Sequence, residues 1–265
     1  MKRRRPSLGA DTAVGPGSPT FADELQALER RLLAMRRLVS EQITDAVRML
    51  TPDRPRGDRV ALREGAVDAL GARIESQCFA ILARRPRTNR QERRLLGTII
   101  RIATALERIG DAGMLMFARS AELSGTPEPH GPSIVVQLMA TNALAMVAQA
   151  VVAFSTRDVA LAASVRAGRP VVAGLGERLV HDTLRAVRDG GESPIVPAMR
   201  FVAIADQLEQ VAGHAVSIAE RVVNLLGEAS RGTRHLDRPG DARPPRGQIA
   251  PLRLRPGTGR ARTEH

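Results

Sequence analysis

Glu107 and Asp111, within Leu106-Glu-Arg-Ile-Gly-Asp111, stand four residues apart, and so do Glu64 and Asp68. On a helix that spacing puts both carboxylates of a pair on one face. Two helices each offering a Glu-x-x-x-Asp pair present four oxygen-donor side chains, Glu64, Asp68, Glu107 and Asp111, to a hard or borderline cation. Magnesium, calcium, manganese and iron suit such a set, whereas nothing in the chain resembles the Cys/His spacing of a zinc site. A plainer role fits the same residues. Against the apolar seam of its helix the Glu107–Asp111 pair falls on the far, solvent side. Acidic side chains there, next to Arg63 and Arg108, can serve solubility alone.

Other chemistry is poorly supplied. A di-iron oxidase built on four helices needs Glu-x-x-His twice in its core. The five histidines, His130, His181, His214, His235 and His265, do not provide it. No glycine-rich phosphate loop occurs, and no nucleophile elbow surrounds any serine. The single cysteine, Cys78, falls on the apolar side of its segment and reads as core rather than nucleophile.

The elements that must carry these residues are helices. Leu25, Leu28, Leu32, Met35, Val39, Ile43, Val47 and Leu50 recur at three and four behind a Thr20 or Asp23 cap. Thr51 to Gly57 breaks that helix. A second runs from about Asp58 to Arg84 through Val67, Leu70, Ile74, Cys78 and Ile81, and Arg85-Pro86 ends it. A third covers about Asn89 to Ser124, with Leu95, Ile99, Ile102, Leu106, Ile109 and Gly113 at the seam spacing of a bundle helix. Gly125 to Pro132 separates two units. Further helices are expected over Ser133–Phe154, over Asp158–Arg188 with an interruption at Gly168-Arg-Pro170, and over Ile195–Glu228.

The second set repeats the first. Leu106-Glu107 answers Leu208-Glu209 at an offset of 102, and Ala46-Val-Arg-Met-Leu50 answers Ala150-Val-Val-Ala-Phe154 at 104. The expected fold is therefore all-α: two tandem three-helix bundles, residues 20–125 and 132–229. Residues 1–19 and the Arg/Pro/Gly-rich residues 230–265 are expected to be disordered.

Composition agrees. Leu, Ile, Val, Ala and Met dominate the apolar content, and aromatic residues are only 2% with no Trp or Tyr, so stacking of bases or sugars on aromatic platforms is nearly excluded. The net charge of +12 sits mostly at the ends, where 13 basic residues face four acidic ones; the central 211 residues are left with about +3. One cysteine allows no internal disulfide. The longest apolar stretch, Ile134 to Phe154, is interrupted by Gln137, Thr141, Asn142 and Gln149 and lacks basic flanks, so it reads as a buried bundle helix rather than a membrane span.

Several phrases together resemble one family. Phe21-Ala-Asp-Glu-Leu25, Ile74-Glu-Ser-Gln-Cys78, Ile81-Leu-Ala-Arg-Arg-Pro86 and Leu106-Glu-Arg-Ile-Gly-Asp111 lie in the first half; Leu208-Glu209 and His214-Ala-Val-Ser-Ile-Ala-Glu220 lie in the second. They are similar, in family order over about residues 20–228, to the PhoU family of phosphate transport regulatory proteins. The resemblance implies two three-helix bundles related by a pseudo-twofold axis. It implies a cytoplasmic, non-enzymatic adaptor, expected as a homodimer, between a phosphate ABC transporter, through its ATPase subunit, and a sensor histidine kinase. Such a protein restrains the phosphate-starvation response when phosphate is plentiful, and meets the membrane only through its partners. The resemblance also implies divalent or iron ions bound through Glu/Asp-x-x-x-Asp motifs, here Glu64 with Asp68 and Glu107 with Asp111.

The second half departs from that pattern. At offset 104, Gly168 and Val172 stand where Glu64 and Asp68 are, and at offset 102 Gly213 stands for Asp111, so no second metal site is expected. A different class of function, nucleic-acid or anionic-membrane binding, would run through the basic ends, with Arg253, Arg255, Arg260 and Arg262 on phosphates. No specific nucleic acid is expected if those ends are only solvated.

Overall fold

The computed structural model describes residues 19–51, 57–85, 87–123, 130–190 and 195–236. Among them are six helices: α1 (Phe21–Arg48), α2 (Gly57–Arg84), α3 (Arg90–Leu123), α4 (His130–Thr156), α5 (Val159–Gly190) and α6 (Ile195–Leu236). Lys2, Arg3, Arg4 and Arg5, the tail arginines from Arg238 onward, and most of the linker between the two units lie outside the described residues.

The helix starts follow local chemistry. Thr20 caps α1: its hydroxyl accepts from the Asp23 N–H at 3.2 Å while the Asp23 carboxylate accepts from the Thr20 N–H at 2.9 Å. Asn89 and Glu92 form the same reciprocal pair before α3. Each satisfies two donors that a helix terminus otherwise leaves open. Asp158 caps α5 through the Leu161 N–H. The tight α4–α5 turn places Arg157 in the left-handed region, with φ 58°. Its guanidinium, 4.7 Å from the centre of the Phe154 ring, donates to the Phe154 carbonyl and to Glu29 at 2.6 Å, which ties the turn to α1.

Helices α1–α3 form one bundle and α4–α6 the other. Helix α3 packs on α6, and α1 on α4, across the junction. One continuous apolar core runs through both bundles, from Leu28, Met35 and Ile43 through Ile102, Leu106 and Ile109 to Val147, Leu208 and Ile218. Glu24 is buried at the start of α1 and is paired with Arg84 at 2.5 Å and Arg85 at 3.3 Å, a clamp between the first turn of α1 and the end of α2.

Two boundaries differ from expectation. Helix α5 is continuous through Gly168 and Pro170. Val165 and Val172, both fully buried, anchor it on either side, and tertiary packing outweighs the local penalty. Arg166, whose carbonyl loses its helical donor at Pro170, is exposed, as is Pro170, so water can reach that group. Helix α6 runs to Leu236 rather than ending near Glu228, with no proline from 229 to 236 to stop it. Among the described residues α4 is the one helix long and apolar enough to cross a membrane. Its Val136, Met139, Ala143, Val147, Ala150 and Phe154 are buried against α1, α5 and α6, as a bundle helix requires.

Candidate functional site

The apolar faces set where the carboxylates go. On α2, Val67, Ile74, Cys78 and Ile81 are buried, which turns Glu64, Asp68, Gly71 and Glu75 toward α3. On α3, burial of Leu106, Ile109 and Gly113 turns Glu107 and Asp111 toward α2. The two pairs thus confront one another across the α2–α3 groove. The expectation that Glu107 lies on the far, solvent side needs correction. Its carboxylate is half-buried over Gly71, where an added Cβ would lie 1.8 Å from Glu107 Oε1. Only a residue without a side chain lets the Glu107 carboxylate lie this close to the α2 backbone. Asp68 and Asp111 are exposed, and Glu64 is half-buried.

Electrostatically the groove is one-sided. Arg63, next to Glu64, reaches back to Asp45 and Glu41 of α1. Arg108, next to Glu107, instead helps burial to lower the pKa of His214 on α6. Among the described residues no cation pairs with Glu64, Asp68, Glu107 or Asp111. Burial raises the Glu64 pKa, as do the charges of Asp68 and Asp111 and a hydrogen-bonding contact with Asp111; the Gln42 amide opposes them. Glu107 is raised by burial first and then by Asp68, Glu75 and Asp111. Crowded carboxylates hold their protons because each further negative charge is opposed by its neighbours, and a bound cation would relieve that.

Sequence reasoning missed two members of this cluster. Glu75 completes the series Glu64, Asp68, Gly71, Glu75, whose four-three-four spacing was legible as one helical stripe. Gln42 is a fully buried polar residue within the apolar stripe of α1. Its Nε2 donates to Glu64 Oε2 at 2.5 Å, while its Oε1 is buried without a partner. Among the described residues no three acidic, histidine or cysteine side chains converge to metal-ligating distance as they are placed.

The second half shows the same backbone with different chemistry. Buried residues match between α1 and α4 at offset 104 (Met35 with Met139, Ile43 with Val147) and between α3 and α6 at 102 (Leu106 with Leu208). Between α2 and α5 the offset is 105: Val67 matches Val172, Ile74 matches Leu179 and Cys78 matches Thr183. Gly176 then answers Gly71, and its Cβ would lie 2.2 Å from Glu209 Oε1, reproducing the Gly71–Glu107 approach. The residues answering Glu64 and Asp68 are consequently Arg169 and Ala173, one position beyond Gly168 and Val172. Gly168 faces Met146, and Val172 is core. Arg169 acts on Glu209 as a lowering charge. Met146 stands where Gln42 is. A cationic side chain thus occupies the position of the first-half Glu64, and a thioether that of its amide partner.

The class of protein is now defined: an all-helical protein of two repeated three-helix units, one of which carries an unneutralised carboxylate groove. The PhoU domain model matches residues 32–114 and again 136–222, one match for each bundle, and the chain belongs to the PhoU family. A phosphate-specific transport system accessory protein PhoU homolog of Pseudomonas aeruginosa is 28% identical over 232 residues, 86% of this chain and 93% of that protein. One of Rhizobium meliloti is 25% identical over 219 residues, 82% of this chain and 92% of that protein. The crystal structure of PhoU from Pseudomonas aeruginosa superposes with a TM-score of 0.73 at 27% identity, covering 79% of this chain and all of that one. The Streptococcus pneumoniae phosphate transport system regulatory protein PhoU shares the fold, with a TM-score of 0.68 at 22% identity over 78% of this chain and 96% of that one.

Proposed function

We propose that this protein is a non-enzymatic, cytoplasmic accessory protein of phosphate uptake. It acts as an adaptor between the ATPase subunit of a phosphate ABC transporter and a sensor histidine kinase, and damps phosphate-starvation signalling when phosphate is plentiful. The observation that carries this reading is the double PhoU-domain match, one per bundle, with relatives named as phosphate-transport accessory proteins over most of their length. Amphipathic bundles offer helix faces to partner proteins, and no bond need be made or broken. Membrane contact comes through the partners, and the working form is a homodimer. Deleting the gene is expected to derepress phosphate-acquisition genes in high phosphate. A pull-down from phosphate-replete cells is expected to recover a transporter ATPase and a histidine kinase. Unchanged alkaline phosphatase output after deletion would refute the regulatory role.

Glu64, Asp68, Glu107 and Asp111 are the residues that would hold a divalent or iron ion. Their donor set fits: all oxygen, with no cationic partner among the described residues, and with the Glu64 and Glu107 pKa values raised by burial and by neighbouring carboxylate charge that a cation would offset. The ion would supply the missing positive charge and set the spacing of α2 and α3. Arg169, Ala173 and Gly213 make the second half unfit for the same role. Nucleic-acid or membrane binding through the basic ends is the competing reading. Neutralising Arg253, Arg255, Arg260 and Arg262 leaves an adaptor with its partners and deprives a tail-driven binder of its ligand.

A further inference from the structure

We infer that the cleft between the start of α3 and the end of α6 is a binding site for a small anion carrying several phosphoryl groups in a chain. The cleft measures about 710 Å³ and is lined by Arg90, Arg93, Arg94 and Arg101 of α3 and by Arg221 and Asn224 of α6, with no carboxylate among the described lining residues. It opens between α3 and α6, whereas the carboxylate groove lies between α2 and α3, and nothing in the adaptor reading requires it.

Three observations carry the inference. First, among the described residues no carboxylate pairs with Arg90, Arg93, Arg101 or Arg221, and Arg221 Nε is buried without a hydrogen-bond acceptor. A buried guanidinium donor without an acceptor is unfavourable in the free protein and matches a phosphoryl oxygen. Second, Arg90, Arg93 and Arg94 occupy the first turns of α3, the positive end of its macrodipole, where cations are disfavoured. Arg93 donates to the Thr88 carbonyl just before the helix, which holds its guanidinium at that end, and an anion would be attracted by the helix end and the guanidinium groups together.

Third, the repeat supplies an internal control. At offset 102, Arg93, Arg94 and Arg101 correspond to Ile195, Val196 and Ala203 of α6. The same bundle geometry is thus built without arginines at those positions. At that other end Arg200 bonds Glu122 at 3.0 Å, and Arg119 lies 3.6 Å from the same carboxylate. Asn224 stands in the α3–α6 cleft where Glu122 would be. At one end Arg119 and Arg200 share a carboxylate, and at the other Arg90, Arg93, Arg101 and Arg221 gather around a cavity with no carboxylate partner among the described residues.

The spacing indicates the ligand. Arg90, Arg94 and Arg101 follow one face of α3 over about 16 Å, at about 1.5 Å per residue, too long for one orthophosphate to span. Among the described lining residues none is aromatic and able to stack on a base, so the phosphoryl chain is the recognised part. Short inorganic polyphosphate and the triphosphate of a nucleotide share that chemistry.

The test is calorimetric titration of the full chain at low ionic strength without divalent cations, using tripolyphosphate, ATP, orthophosphate, sulfate and a short single-stranded RNA. Tripolyphosphate is expected to bind with strongly salt-dependent affinity, and orthophosphate and sulfate at least about tenfold more weakly. The exposed-residue variants R93Q and R101Q, and R221Q, are each expected to weaken binding about tenfold. R119Q, the pseudo-symmetric control, and a chain with Arg253, Arg255, Arg260 and Arg262 changed to Gln should bind as the parent does. ATP binding no tighter than tripolyphosphate assigns the free chain as the ligand; tighter ATP binding assigns the nucleotide. The inference is overturned if tripolyphosphate fails to bind, if only the tail substitutions abolish binding, or if RNA binds more tightly than tripolyphosphate with the same losses in R93Q and R101Q.

Discussion

Changing Gln42 to Met, the residue its repeat partner carries at Met146, separates what the first bundle needs for folding from what it keeps for its groove. Gln42 is fully buried, and its Oε1 finds no donor, a penalty of about 1–3 kcal/mol. Its Nε2 bond to Glu64 is charge-assisted, which would place it near 2 kcal/mol if buried. Glu64 is only half-buried, however, so water can replace the amide, and the loss is discounted to about 1 kcal/mol. Methionine has nearly the same length and adds roughly 1 kcal/mol of apolar burial. It also suits the tight approach of α3, where a Cβ on Gly113 would lie 3.2 Å from Gln42 Cγ. The net expectation is a stabilisation of about 1–3 kcal/mol, or a rise in Tm of roughly 5 °C for a chain of this size. Urea titration without added cation checks it. The same variant should lose part of whatever stabilisation manganese or magnesium confers, because Glu64 is no longer held and its pKa rises further. A Q42M protein less stable than the parent by more than about 1 kcal/mol, with its cation response intact, would refute the reasoning and make Gln42 an ordinary structural residue.

Other outcomes follow from the same groove and core. E107Q is expected to abolish cation-dependent stabilisation while E209Q leaves it unchanged, and metal analysis should find at most one site per chain; two equivalent sites would contradict the assignment. Because the Glu64 pKa is raised in the native protein, the native state holds more protons than the unfolded chain between that raised value and the ordinary 4.5. The Glu64 contribution to stability in the absence of cation should therefore grow as pH falls through this window, cation affinity should decrease, and paired denaturation series of E64Q and the parent should differ by that contribution. Burial, aided by the Glu75 charge, pushes the Cys78 thiol up to about 12, so a thiol reagent at neutral pH should label it only after denaturation. Labelling of the native protein at the rate of a free thiol would place Cys78 outside the core.

Much of this molecule is legible along the chain. Three-and-four periodicity, the Thr20 and Asn89 caps and the repeat determine six helices in two units, because each signal depends on neighbours within a turn or two. The same local geometry puts Glu64 beside Asp68 and Glu107 beside Asp111 on their respective helices. Pro170 is the instructive local failure: proline chemistry argues for a break, and burial of Val165 and Val172 overrides it.

What periodicity does not contain is which faces meet. Glu107 reaches into the α2–α3 groove over Gly71, whose missing side chain leaves room for its carboxylate. Gln42 becomes a groove residue only because α1 brings it within 2.5 Å of Glu64. The second-half register depends on the same long-range packing: matching buried residues, not matching phrases, puts Arg169 rather than Gly168 in the place of Glu64. The arginines of α3 and α6 are about 120 positions apart in the chain and form one cleft only after the two bundles dock. Charge totals add along a sequence, whereas electrostatic potential depends on distance in space, which the tertiary fold alone decides.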